Sequence, residues 1–116
     1  MVRTFPIDIH PVSKSRISDY NLSDVTFGKC FSDHMLVAEY SNGAWQKAQI
    51  LPYQDQPLSY AISALHYGQA IFEGMKAYKN ADGQVSLFRP LENFKRLNTG
   101  AVRMAMPEVP EDLFME

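Results

Sequence analysis

His34-Met35-Leu36-Val37-Ala38-Glu39-Tyr40 runs into Ser41-Asn42-Gly43-Ala44 and returns as Trp45-Gln46-Lys47-Ala48-Gln49-Ile50-Leu51. Both flanking runs are rich in β-favouring side chains, and Asn-Gly supplies the positive φ angles of a tight two-residue turn. The cause is steric, because only residues that tolerate the left-handed region close such a loop without strain. The stretch therefore predicts a β-hairpin that starts an antiparallel sheet.

Upstream, residues 1–26 mix Pro, Ser and isolated aliphatics without sustained periodicity, which predicts an extended arm with one short strand near residues 5–9. Downstream, residues 52–59 are polar and carry Pro52 and Pro57, as a connecting loop does, and Ser59 is placed to begin a helix. Across residues 61–72, Leu65, Gly68, Ile71 and Phe72 follow a helical period loosely, with Gly68 costing roughly 1 kcal/mol relative to alanine. Residues 75–78 and 85–88 then flank Lys79-Asn80-Ala81-Asp82-Gly83-Gln84, a second hairpin with Asp82-Gly83 as its expected left-handed pair. Pro90 suits the first position of a helix, and Leu91, Phe94, Leu97, Ala101 and Met104 follow at helical spacing until Pro107. Pro110, Glu111 and Asp112 open another helix, anchored by Leu113 and Phe114. A single turn does not persist alone, so the natural chain is expected to continue. The expected fold class is α+β, antiparallel hairpins with helices packed on one side, divided into an arm over residues 1–26 and one domain over residues 27–116.

At 116 residues and 46% hydrophobic, the chain is long enough for a small domain with a core. A formal net charge of -2, from 11 basic and 13 acidic residues, supplies no field for steering nucleic acid or anionic membranes, and neither is an expected partner. No apolar run approaches the roughly 20 residues that a membrane-spanning helix needs. Arg3, Asp8, His10, Lys14 and Arg16 interrupt the first nineteen residues too often for a secretory signal, and Pro6, Asp8 and Pro11 make a poor transit helix. Cys30 is the single cysteine, which excludes an intrachain disulfide and suits a reducing compartment, so the expected location is the cytoplasm.

His10, His34 and His66 are too scattered for a local metal pair, and no metal site is expected. Cys30 lies near Ser32, Asp33 and His34, but nothing in the sequence fixes a base against its sulfur, and it reads as a small core residue. Gly68 and Gly74 lack the spacing of a nucleotide loop. By spacing alone Arg96 is a solvated arginine paired with Glu92 one helical turn away, Tyr67 and Phe72 are core aromatics, and Phe27 anchors a loop.

A different reading comes from Ala64-Leu65-His66-Tyr67-Gly68-Gln69-Ala70-Ile71-Phe72-Glu73-Gly74-Met75-Lys76-Ala77-Tyr78, which resembles the signature stretch of branched-chain amino-acid aminotransferases. Leu87-Phe88-Arg89-Pro90-Leu91-Glu92-Asn93-Phe94-Lys95-Arg96-Leu97 and Ala101-Val102-Arg103 resemble the same family's next hairpin and helix in order and spacing. Phe27-Gly28-Lys29-Cys30-Phe31-Ser32-Asp33-His34-Met35-Leu36 is similar to its longer, eukaryote-like subgroup. Together these blocks cover residues 27–107. The resemblance implies the small domain of a fold-type IV enzyme that uses pyridoxal 5'-phosphate to move the amino group of leucine, isoleucine or valine to 2-oxoglutarate. It implies that Arg96 contacts the cofactor phosphate and that Phe27, Tyr67 and Phe72 line the pocket for the aliphatic side chain. It also implies a homodimer in which Tyr67 reaches a neighbouring subunit's site.

The resemblance further implies that the Schiff-base lysine lies beyond Glu116, leaving this stretch inactive alone; Lys76 and Lys79 have no surroundings that would make either a nucleophile. Two rivals remain at the level of sequence. A D-amino-acid aminotransferase or aminodeoxychorismate lyase would share the fold, but Phe72-Glu73-Gly74 and the block at Phe27 favour the branched-chain branch. A non-catalytic, free-standing binding domain would leave Arg96 solvated, and the helix opening at residue 110 argues against it.

Overall fold

A computed structural model of the chain describes residues 4–116, so the first three residues of the expected arm lie outside the described residues. Two compact units are formed, Phe5–Pro57 and a second built on Leu58–Glu116. Short strands occur in both and the three α-helices all belong to the second, a mixed α+β content.

In the Phe5–Pro57 unit the hairpin forms where Asn-Gly directs it. Strands β2 (His34–Val37) and β5 (Ala48–Pro52) pair antiparallel, and β3 (Tyr40–Ser41) and β4 (Ala44–Trp45) continue the same arms to the turn. Asn42 and Gly43 both take positive φ, 53° and 78°. The register slips by one between the pieces: Val37 faces Gln49 but Tyr40 faces Trp45, so residues 38–39 oppose residues 46–48. This is a β-bulge. The Gln46 amide bridges it to the turn by donating to the carbonyls of Ser41 and Ala44, each at 3.0 Å. Tyr40 and Trp45 meet edge to face across the strands at 5.5 Å.

The strand expected near residues 5–9 is β1 (Ile7–Ile9), and it pairs in parallel with β5, giving the order β1-β5-β2. Ala48 on the central strand is fully buried. The following residues are tied to the sheet by side chains. His34 Nε2 accepts from the Val12 amide at 3.1 Å, and Asp33 accepts from the Arg16 amide at 2.8 Å.

In the second unit, helix α1 (Ser63–Tyr67) is shorter than residues 61–72 because Gly68, at φ 62°, adopts the left-handed conformation that ends it. Strands β6 (Ala77–Lys79) and β7 (Val85–Leu87) form the second hairpin. Only Gly83 of its turn takes positive φ, 81°, and Asp82 does not. The bonds from Gly83 N to Asn80 O and from Asn80 N to Gln84 O define a wider turn with a glycine bulge in place of a two-residue loop.

Helix α2 (Pro90–Arg103) begins at the expected proline. It ends before Pro107 through a double closure. Met106 N donates to Ala101 O and Ala105 N to Val102 O, with Ala105 at φ 54° where glycine is usual. Helix α3 (Glu111–Met115) packs back on α2, with Leu113 buried and Phe94 against Phe114 at 5.6 Å.

The expected helical cover over the second hairpin is not found, since every residue of β6 and β7 is exposed. Nor is a sizeable core. Among the described residues the buried apolar side chains are Ala48, Ala101 and Leu113. One three-stranded sheet and one helix pair offer too few opposing surfaces to cover the remaining aliphatic and aromatic groups.

Candidate functional site

Past Gly68 the chain runs extended along α2. Residues of one parity turn toward the helix: Gln69 donates to Met104 O at 2.8 Å, Ile71 lies over Gly100, and Glu73 meets Asn93 and Arg96. Those three are half-buried while Ala70 and Phe72 between them are exposed, the alternation of a strand laid on a helix. The receiving positions, 93, 96 and 100 on α2 and 104 at its C-cap, step by three or four, one face of the helix. The segment 69–74 is therefore a strip clipped at both ends, not a continuation of α1.

Arg96 is held by Glu73, not by the Glu92 that helical spacing proposes. Its Nε donates to Glu73 Oε2 at 2.7 Å and its Nη2 to Glu73 Oε1. Glu92 instead accepts from Lys95 at 2.9 Å, a bond that lowers its pKa, and lies near Arg89. The Glu73 carboxylate also receives Asn93 Nδ2 and the Gly74 amide, each at 3.0 Å, and Asn93 Nδ2 reaches Gly74 O at 3.1 Å. Bonds from Arg96 first, then from Asn93, bring the Glu73 pKa down to about 2, against the opposing effect of desolvation. Glu73 is consequently an anion throughout the neutral range, its side chain only 7% exposed, while that of Arg96 is 71% exposed.

That difference defines what the cluster can do. A guanidinium offers five N–H donors in a planar fork, and Glu73 occupies Nε and one hydrogen of Nη2. The edge between Nη1 and Nη2 carries no partner among the described residues and faces solvent. Such an edge matches two oxygens of a phosphate or carboxylate.

The three aromatics expected at a substrate pocket are all at the surface. Tyr67 is the last residue of α1, 86% exposed; Phe72 is the outward residue of the strip, 87% exposed, its ring folded back over Gly74. Phe27 sits at a turn closed by the bond from Lys29 N to Thr26 O, 96% exposed, in the Phe5–Pro57 unit. The core role that composition suggests for Tyr67 and Phe72 is thus not found. Sequence reasoning misses Glu73 and Asn93; the only signal is the alternation of residues 69, 71 and 73, which carries no hint of a partner 23 residues away.

In the other unit a hollow of about 330 Å³ is lined by residues that include Ile17, Tyr20, Leu22, Cys30, Phe31 and Asp33. Its acid, Asp33, is bonded to Ser15 and the Arg16 amide, which lower its pKa. Among the described residues no group of three or more His, Cys, Asp or Glu side chains is placed to hold a metal, and no helix is long and apolar enough to cross a membrane.

In the Leu58–Glu116 unit, then, Arg96 is bonded to Glu73 with most of its side chain exposed, and Tyr67 and Phe72 lie at the surface. The chain is 47% identical over 95 residues to branched-chain-amino-acid transaminase 1 of Bacillus subtilis (strain 168), a match covering 81% of this chain and 27% of that protein. It is 46% identical over 96 residues to a branched-chain-amino-acid aminotransferase of Mycolicibacterium smegmatis, covering 82% and 26%. No family model matches. Over the matched region the chain is a homologue of the branched-chain-amino-acid aminotransferases, and it spans little more than a quarter of the length of these relatives.

Proposed function

We propose that this chain forms the small-domain part of an aminotransferase that moves the amino group of leucine, isoleucine or valine to 2-oxoglutarate with pyridoxal 5'-phosphate. The observation that carries the reading is Arg96: a stretch 47% identical to such an enzyme holds an arginine with one edge locked and the other open to solvent. That donor set fits a phosphate dianion. When bound, the cofactor supplies the electron sink for the reaction. The chain's own residues bind and orient: Arg96 anchors the phosphate, and Phe27, Tyr67 and Phe72 form the wall that favours aliphatic side chains and excludes charged ones by desolvation.

The same reading takes residues 1–26 as an arm and residues 27–116 as the small domain of a fold-type IV protein. It assigns the Schiff-base lysine to the rest of the complete protein, a homodimer of the cytoplasm in which Tyr67 lines the neighbouring subunit's site. The exposure of all three aromatics supports it, since wall residues need a second surface to close the pocket.

The test is the absorption spectrum of the complete protein with pyridoxal phosphate, titrated with leucine and separately with D-alanine. A change in the cofactor band with leucine alone is the expected result. Response only to D-alanine would assign the protein to the D-amino-acid branch, and the lack of any cofactor band would remove the reading. Arg96→Ala is expected to weaken cofactor retention more than it weakens folding, with the thermal midpoint of the apoprotein falling only as far as the lost Glu73 pair requires.

A further inference from the structure

Phosphate anchoring by Arg96 does not by itself require that an almost buried carboxylate be bonded to it. Glu73 reaches Arg96 across 23 residues of sequence, and it cannot be a simple surface pair, because donors from three different residues converge on its two oxygens. Asn93 lies one helical turn before Arg96 and ties the Glu73 carboxylate and the Gly74 carbonyl together, so both the chain direction at Gly74 and the carboxylate plane are fixed relative to α2. A guanidinium gripped side-on through Nε and Nη2 has its plane set by that carboxylate. Its remaining edge then has a single orientation, in place of the many that a long, exposed side chain would otherwise sample.

We propose that Glu73, held by Asn93, is a positioning residue that aims the free Nη1/Nη2 edge of Arg96 at the cofactor phosphate. This rests on the reading of Arg96 as a phosphate ligand. The placement has a second consequence. Phe72 precedes Glu73 on the same strip, so the grip that orients the arginine also fixes which way the Phe72 ring faces. Phosphate anchoring and one wall residue are set by a single clip. A negative charge beside a phosphate ligand opposes anion binding by Coulomb repulsion, so removing Glu73 would strengthen phosphate binding if charge alone mattered. Positioning gives the opposite sign, and the sign decides between the two.

The experiment uses the complete protein stripped of cofactor and measures dissociation constants for pyridoxal phosphate and for phosphate-free pyridoxal by absorbance. Glu73→Ala is expected to weaken pyridoxal phosphate by about 10-fold, the lower end of what partners that orient a binding group usually contribute, while pyridoxal binding is unmoved. Glu73→Gln, which keeps an acceptor for Arg96, should recover part of the loss. In an Arg96→Ala background Glu73→Ala should add nothing. Should Glu73→Ala fail to fold, Asn93→Ala carries the same prediction in smaller measure, because it frees the carboxylate without deleting it. Tighter or unchanged pyridoxal phosphate binding, or equal weakening of both ligands, overturns the positioning role while Arg96→Ala still reports the phosphate contact. Unchanged binding in Arg96→Ala overturns the phosphate reading itself and the inference with it.

Discussion

The two sides of α2 are stabilised in opposite ways. On one, Asn98 is buried and replaces a piece of secondary structure: its Nδ2 donates to Val109 O at 2.9 Å and its Oδ1 accepts from Val109 N at 2.8 Å, locking the segment that leads into α3. All of this lies within eleven residues of sequence and carries no charge. On the other, the strip 69–74 is clipped by residues 19 to 35 positions away, and its central bond is an ion pair with one exposed partner. A buried neutral amide is worth most to folding, because deleting it strands two backbone groups. An ion pair with one exposed member is worth less to folding and leaves a charge available for binding.

Asn98→Ala should give the largest loss of stability on this helix, roughly 2–3 kcal/mol, from the unsatisfied N–H and C=O of Val109 and the small cavity left behind. Denaturant unfolding of the complete protein would measure it, with pyridoxal phosphate affinity of the folded fraction staying parental. A comparable loss of affinity would mean that the two sides are not separable.

Acid should distinguish them as well. Glu73 titrates near 2 when folded, below the ordinary carboxylate value of 4.5. A depressed folded pKa contributes stability above the unfolded pKa and loses it as pH falls through the folded one. The contribution of Glu73 is therefore full above about pH 4.5 and fades toward pH 2. Glu73→Gln should flatten the pH dependence of unfolding in that window, and Asn98→Ala should lower the curve without changing its slope there. An unchanged slope in Glu73→Gln would show that the carboxylate is not gripped as described.

The local side of this helix is legible in the sequence, and the long-range side is not. Pro90, the helical period from Leu91 to Met104 and the Asn42-Gly43 and Gly83 turns all act within a few residues, where steric rules are strong. Spacing along a helix ranks only neighbours on that helix, so it pairs Arg96 with Glu92 and cannot reach Glu73. By propensity Gly68 is a weak helix residue, whereas its left-handed conformation makes it a stop. Resemblance supplies the importance of Arg96, Tyr67 and Phe72, yet it is silent on Glu73 and Asn93, whose role exists only once the strip lies on α2. Phe27 stands in the other unit, and its role rests on the proposal for the complete protein.

The end of α2 offers a smaller, independent test. Ala105 holds the left-handed position of the terminating motif at φ 54°, where a Cβ is strained by roughly 1–2 kcal/mol. Ala105→Gly relieves that strain but adds chain entropy to the unfolded state, so a net gain of roughly 0.5–1 kcal/mol is expected. The gain belongs to the folding side of the comparison and should appear in the thermal midpoint with no change in cofactor affinity. Loss of stability would mean that the Met106-to-Ala101 closure is not the helix's actual end.

The smallest effect lies where the strip touches the helix without charge. Gly100 is in the interior of α2, and a Cβ built there would meet Ile71 Cγ2 at 3.5 Å and Ile71 Cβ at 3.9 Å, ordinary van der Waals distances. Glycine inside a helix is disfavoured against alanine by roughly 0.5–1 kcal/mol, and nothing in this contact cancels that preference. Gly100→Ala should therefore stabilise by about 0.5 kcal/mol, the lower end of that range, if the strip need not move. Because Ile71 lies midway between the Gln69 and Glu73 clips, a strip that rides closer to α2 would be pushed outward by the added methyl. The variant would then lose stability and, through Glu73, misdirect Arg96, coupling a helix-propensity change to phosphate affinity. A gain in stability with unchanged affinity would place the strip at the separation described.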